Sequence, residues 1–282
     1  MAAPEIRPGQ SIDLLKALHI LTRDGKMNQD SRRKLKQVYH LFQFIEPLMQ
    51  QAGENEHPFS LVDHGAGKSY LGFILYDLFF KDRKTADHIY GIDTRDDLVE
   101  RSEALAQQLG FDRMSFLNLS VAASITSPRL PERVDIVTAL HACNTATDDA
   151  IQFALEKDAR FIVVVPCCQA ELASVLRKNK SKAMAMTALS ELWRHPLHTR
   201  EFGSQITNVL RCLQLESHGY QVTVTELVGW EHSMKNELII AQQKGLPGQR
   251  AADRLAHILK TLGLEEMQDR FKTGVAPATV PD

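Results

Sequence analysis

Cysteine is scarce, long apolar runs are missing and neither sign of charge dominates. Four cysteines in 282 residues are too few for a disulfide scaffold. No stretch approaches the roughly 20 consecutive apolar residues that a membrane span needs. Lys plus Arg number 33 against 35 for Asp plus Glu, a formal charge of −2. Nucleic-acid-binding domains are typically strongly basic, so the bulk charge does not mark one. Neither an internal repeat nor a low-complexity tract is visible. Met1 to Leu21 lacks a basic segment followed by an apolar run and a small-residue cleavage site. No secretory signal is therefore expected, and a reducing, cytoplasmic setting is. At 44% hydrophobic and 24% charged residues, the chain is too apolar and too near neutral for intrinsic disorder. It is long enough for a substantial core.

What is present divides into three parts. Residues 1–57 read as helical. Ile12, Leu14, Leu15, Leu18 and Leu21 share one face of a helix over Ser11 to Leu21. Asn28 to Ser31 signals the start of a second helix that runs to about Gln51. Residues 58–244 then alternate apolar runs of strand length with helical segments. The strands are Phe59–Asp63, His88–Asp93, Met114–Asn118, Val134–Leu140 and Phe161–Pro166. The helices are Tyr70–Phe80, Arg95–Leu109, Asp148–Glu156 and Glu171–Lys178. That alternation predicts an α/β fold with a doubly wound parallel sheet. A later helix, Phe202–Ser217, carries Ile206, Val209, Leu210 and Leu213 at helical spacing. Tyr220–Val228 and Glu237–Gln242 follow as two strands with no helix between them, which predicts an antiparallel last strand. Residues 245–282 add a helix over Gln249–Leu262 and a loose tail.

The segment richest in chemistry is Leu61-Val-Asp63-His64-Gly65-Ala-Gly67-Lys68-Ser69-Tyr70-Leu71. A strand ends in Asp63, a glycine-rich turn follows and a helix begins. Glycines let a backbone approach a ligand closely, and a helix start offers free N–H groups. Two readings compete. Gly67-Lys68-Ser69 resembles the end of a P-loop, but that loop needs a Gly where Val62 stands, so the turn is too short to wrap phosphates. The other is a nucleoside-binding turn, which calls for an acidic residue at the end of the next strand to accept ribose hydroxyls. Asp93 stands there, thirty residues after Asp63. It could also cap the helix that follows.

Val62 to Leu71 resembles the first motif of class I S-adenosylmethionine-dependent methyltransferases. Leu140-His141-Ala142-Cys143-Asn144 with Thr147-Asp148, Val165-Pro166-Cys167-Cys168, and Met234 to Ile239 resemble further motifs of one branch, related to tRNA 2′-O-methyltransferases. The similarity covers about residues 34–243, with Asn144 where that branch often has Gly. It implies a Rossmann-like seven-stranded doubly wound sheet with an antiparallel last strand, residues 58–244 being the methyltransferase domain. It implies S-adenosyl-L-methionine as cofactor. Asp63, Gly65 and Gly67 would then border its methionine part, with His64, Lys68 and Tyr70 in the same turn. Asp93 would hold the ribose, Asn118 and Leu119 would lie near the adenine, and His141 would reach the cofactor from strand four.

Methyl transfer must align a nucleophile with the methyl group and, where needed, remove a proton. His141, with a pKa near neutrality, is a candidate base; Cys143, Asn144 and Cys167 are candidate catalytic neighbours. Alternatively, His141 hydrogen-bonds its own loop. Pro166-Cys167 also fits thiolate attack on a pyrimidine ring. Zinc on His141, Cys143, Cys167 and Cys168 fits less well, because structural zinc sites prefer spacers of two to four residues; no metal is expected. The zinc deaminase pattern lacks its Glu here and is rejected. Thr147 and Asp148 read as helix caps, and Cys212 as core. Against the neutral total stand two basic clusters, residues 32–36 (Arg32, Arg33, Lys34, Lys36) and 177–182 (Arg177, Lys178, Lys180, Lys182). They read either as solvated faces or as phosphate contacts to an RNA, rRNA or tRNA. A small-molecule or protein substrate, and a non-catalytic cofactor-binding module, are the alternatives.

Overall fold

The computed structural model describes residues 6–54, 58–140, 145–166, 171–178, 188–227, 237–246 and 248–277. Seven strands form one sheet: β1 Ser60–His64, β2 His88–Asp93, β3 Met114–Asn118, β4 Ile136–Leu140, β5 Phe161–Val165, β6 Tyr220–Glu226 and β7 Glu237–Gln243. Their order is β3-β2-β1-β4-β5-β7-β6. The first five are parallel, and β7 is antiparallel to both β5 and β6. This is the doubly wound sheet with an antiparallel last strand that the sequence pattern predicts. Strand order reverses between β1 and β4, and ligands of such sheets bind outside the carboxyl ends of the strands at that point.

Helices cover both faces: α1 Ile12–Ala17, α2 Gln29–Ala52, α3 Tyr70–Leu75, α4 Asp96–Leu109, α5 Val121–Thr126, α6 Ala146–Glu156, α7 Glu171–Lys178, α8 Pro196–Ser217 and α9 Gln249–Leu262. Side chains alternate across a strand, and the packing follows that period. Leu61, Ile136 and Phe161 join one core with α1 to α4. Val62, Val137 and Ile162 join the other, beneath α6. All five residues of β5, Phe-Ile-Val-Val-Val, are buried, as a strand covered on both sides requires. A third cluster joins α7, α8 and α9 and continues past α9 through Leu264, Met267 and Phe271. Packing of the C-terminal segment thus extends at least that far.

Several local expectations are corrected. The first helix stops at Ala17 because His19 takes a left-handed φ of +54°, and Ile12 is 44% exposed rather than on the buried face. Tyr70–Phe80 is not one regular helix. After α3 the chain makes a wide π-turn over Tyr76–Phe80. That turn carries the Asp77 carboxylate inward, where it accepts the Ser11 N–H at 2.9 Å and the Lys81 ammonium at 3.0 Å. The N-terminal segment is thereby latched to the sheet's first helix. α5 was not anticipated, α8 begins earlier with Pro196 in its first turn, and Val209 is 43% exposed.

Thr147 and Asp148 are not caps either. Thr145 precedes α6 without a side-chain cap bond, and both residues lie inside the first turn. Asp148 instead accepts the Arg211 Nε at 2.6 Å. Arg211 is fully buried on α8 and also donates to Asn208, which donates to Glu237 of β7. Arg270 lies 3.7 Å from the other Asp148 oxygen and 2.6 Å from Glu171. One charged network therefore ties α6, the helix that follows β4, to α7, α8, β7 and the C-terminal segment. Breaking a buried pair from one side leaves an uncompensated charge. Arg211→Met is expected to cost about 3–5 kcal/mol, read as a lower urea midpoint. Arg211→Met combined with Asp148→Leu should recover most of that loss. An unchanged midpoint for the single variant would remove the pair from the account.

Candidate functional site

β1 delivers Asp63 and His64 to the switch point, and both are buried. The chain then turns through Gly65 at φ +69° and Gly67 at φ +59°. L-residues rarely hold these angles, and glycine does so without steric cost. A Cβ built on Gly65 would meet nothing within 4 Å, so the turn faces open space. Two hydrogen bonds fix it to the end of β2: Ala66 N–H to the Ile92 carbonyl at 2.9 Å, and Gly67 N–H to Asp93 Oδ2 at 2.8 Å.

Asp93 is the junction of the site. Its Oδ1 accepts the Arg95 N–H at 3.0 Å and Arg95 Nε at 3.1 Å, and its Oδ2 accepts Arg95 Nη2 at 3.2 Å. Burial disfavours its charge, but the bonds from Arg95 and Gly67 outweigh that and hold its pKa below the ordinary value. Arg95, not Asp93, occupies the N-cap position of α4. The Arg95 side chain is 61% exposed. Its guanidinium can yield to an incoming hydroxyl at small cost, while Gly67 keeps the carboxylate in place.

A cleft of about 340 Å³ opens beside this junction. His64, Gly65, Asp93 and Leu119, four of the residues predicted from sequence, line it together. Ile92, Arg95, Val121, Ala146 and Asp149 complete much of the wall and were not anticipated. Asp149 carried no signal readable from the chain alone; its place follows from the turn of its neighbour. Adjacent residues on a helix point about 100° apart, so when Asp148 turns to the Arg211 network its neighbour is free to face another way. Burial and the nearby Asp148 charge raise the Asp149 pKa, partly offset by Arg270.

The remaining predicted residues lie elsewhere. Asp63 sits beneath the turn and accepts the Thr138 hydroxyl at 2.8 Å. Burial pushes its pKa up to about 7, with Thr138 opposing and the Asp93 charge adding. Lys68 and Tyr70 line a different cavity, toward α1 and α4. Asn118 turns outward to donate to Asp96 at 2.8 Å. His141, Cys143, Asn144, Cys167 and Cys168 lie outside the described residues, as do positions 179–182 of the second basic cluster. Among the described residues no group of three metal-ligating side chains assembles, and no helix is long and apolar enough to cross a membrane. Cys212 is half-buried on α8, and burial pushes its thiol pKa up to about 12.

A ligand that suits this cleft has a flat apolar part for Ile92, Leu119 and Val121 and hydroxyls for Asp93. Residues 33–175 match the family described as a methyltransferase domain. The glutathione S-transferase C-terminal domain-containing proteins of Bos taurus and Homo sapiens are each 23% identical over 235 residues, 77% of this chain and 34% of theirs. The chain thus spans about a third of the length of these curated relatives. Among solved structures, a magnesium protoporphyrin IX methyltransferase from Synechocystis with bound SAM is 11% identical, with a TM-score of 0.46 over 85% of this chain and 100% of that one. An rRNA methylase from Streptococcus thermophilus is 8% identical, with a TM-score of 0.45 over 72% and 95%.

His64 and Asp63 give opposite pH signatures. Both His64 ring nitrogens are buried without a partner, and burial lowers its pKa to about 4, with Asp93 opposing. A depressed histidine contributes stability that is lost as pH falls from the unfolded value of about 6.5 toward 4. A raised aspartate does the reverse: the native state holds the extra proton, so stability is lost as pH rises from about 4 to 7. Each effect is on the order of 3 kcal/mol, so they largely offset in the wild type between pH 4 and 6.5. His64→Leu should gain stability as pH falls through that window, and Asp63→Asn should lose it. Denaturation midpoints across pH with the same slope in both variants would contradict the assignment.

Proposed function

The chain belongs to the methyltransferase domain family, and from that premise we propose that it is an S-adenosylmethionine-dependent methyltransferase whose substrate is RNA. The observation that carries the cofactor reading is the Asp93 carboxylate, pinned by the Gly67 N–H at 2.8 Å at the mouth of the cleft. The residues present fit the group. Open space over Gly65, apolar walls at Ile92, Leu119 and Val121, and an ionised carboxylate at a strand end are what a nucleoside with an attached amino acid requires. Asp93 would hold the ribose hydroxyls, and Leu119 with Ile92 and Val121 the adenine. Asp63, beneath the turn and outside the cleft wall, would act at a distance on positive charge of the methionine part once ionised.

When bound, the cofactor supplies an electrophilic methyl group on a cationic sulfur. The chain has to exclude water, orient the acceptor and remove a proton where the acceptor carries one. The apolar walls exclude water. β4 ends at the switch point, where an acceptor would enter; His141 follows it in the chain and remains the candidate base. The Asp148–Arg211 pair anchors the first turn of α6.

Exposed charge supports RNA as the acceptor. Arg32, Arg33, Lys34 and Lys36 at the start of α2 are all exposed, as are Arg177 and Lys178 at the end of α7. The motifs' likeness to tRNA-modifying enzymes points the same way, by analogy. A cytoplasmic location belongs to the same proposal.

Calorimetry tests the cofactor. S-adenosylmethionine should bind, and Asp93→Ala should weaken binding by about 1.5–3 kcal/mol, the range for a hydrogen bond to a charged group. Binding should also weaken as pH falls below about 7, because Asp63 then takes up a proton. Unchanged affinity in the Asp93 variant would place the ribose elsewhere. Mass spectrometry of modified nucleosides tests the acceptor: RNA from cells lacking the gene should lose one methylated nucleoside, and a full complement would count against RNA.

A further inference from the structure

On the α1 side of the glycine turn lies a second cavity, of about 240 Å³, that shares no lining residue with the cofactor cleft. Leu18, Leu98 and Leu105 give it an apolar floor. Around that floor stand His19 at the end of α1, Lys68 in the turn and Arg101 on α4, all three exposed. No acidic residue lines it. Among the described residues, none of the three side chains makes a hydrogen bond or an ion pair. Several exposed arginines of this protein do find a carboxylate, as Arg95, Arg133 and Arg254 do. What marks this place is that three basic side chains converge on one concavity with no carboxylate in its wall. Tyr70 and Ser102 add hydroxyl groups to the wall.

The first basic cluster starts close to this cavity: Ser31 in the first turn of α2 donates to the His19 carbonyl at 3.3 Å, and Arg33, Lys34 and Lys36 that follow it are exposed. His19 holds its left-handed φ of +54° at that joint. Strained residues of this kind persist where surrounding contacts over-determine them, often at ligand clamps. A single small anion would need only the cavity. A polyanion would use the cavity for one phosphate and the exposed run for its neighbours.

We propose that the His19–Lys68–Arg101 cavity receives a backbone phosphate of the RNA substrate, with its sugar against the leucine floor, and so fixes how the strand is laid across the turn toward the cofactor cleft. This rests on the RNA reading above. Each phosphate contact on a single strand contributes about 0.7 to the slope of log K against log salt. Removing one should weaken RNA binding about fivefold in about 0.1 M salt and flatten the slope by that amount.

The test is fluorescence anisotropy with an unmodified tRNA transcript and a short single-stranded RNA across a salt series, on the full chain. Arg101→Gln should give the fivefold loss and the flatter slope. Leu105→Trp, which fills the floor without changing charge, should weaken RNA binding with little change in slope. Calorimetry with S-adenosylmethionine should be unaltered for both, which also reports that both fold. Wild-type affinity and slope in both variants would overturn the cavity's role while leaving the RNA reading intact. No RNA binding by the wild type would overturn both. Loss of S-adenosylmethionine binding in folded Leu105→Trp would assign the cavity to the cofactor and overturn the proposal. Competition by inorganic phosphate, with no loss of RNA binding in Arg101→Gln, would assign it to a small free anion and overturn it too.

Discussion

The hydrogen bond from the Gly67 N–H to the Asp93 carboxylate, 2.8 Å long, is the constraint on which the site depends. It joins the turn after one strand to the end of the next. Without it, Gly65 and Gly67 would be a flexible corner rather than the rim of a cleft. The bond needs several things at once. β1 and β2 must pair in register, with Asp63 opposite Gly91. Gly67 must take a φ of +59° to aim its N–H across the gap. Asp93 must stay ionised despite burial, which Arg95 and Gly67 together secure. The cleft beside this bond and the basic cavity share no lining residue.

Much of this was legible in the chain. Apolar runs of strand length fixed the sheet, because buried parallel strands must be apolar on both faces; Phe161 to Val165 is the clearest case. The glycine turn and Asp93 were legible because the backbone angles and a strand-end carboxylate each demand particular residue types. The π-turn over Tyr76–Phe80 was not, since a helix periodicity carries no sign of one extra residue per turn. Nor was the partner of Asp148. An acidic residue early in a helix reads locally as a cap, whereas Arg211, sixty-three residues away, draws it inward. Lys68 and Tyr70 belong to the same motif as Gly65, yet helix start and turn send them to the opposite side. Sequence adjacency does not specify which side of a turn a side chain faces.

Electrostatics inside the site runs in both directions. Burial keeps His64 neutral and pulls Asp63 toward its protonated form, while hydrogen bonding keeps Asp93 charged. Two carboxyl groups in neighbouring strands thus have their pKa values pushed in opposite directions, and environment rather than residue type decides which. Farther out, the Arg211–Asp148–Arg270 network makes the C-terminal helices part of the frame that holds α6, and α6 carries Asp149 into the cleft. The C-terminal segment is coupled to the site through buried charge.

A crystal structure of the protein with S-adenosylhomocysteine tests the central claim most directly. The account predicts the ribose hydroxyls on Asp93, the adenine between Ile92 and Leu119, the Arg95 guanidinium displaced and the Gly67–Asp93 bond retained. Ligand density in the His19–Lys68–Arg101 cavity, or a ribose with no contact to Asp93, would contradict it.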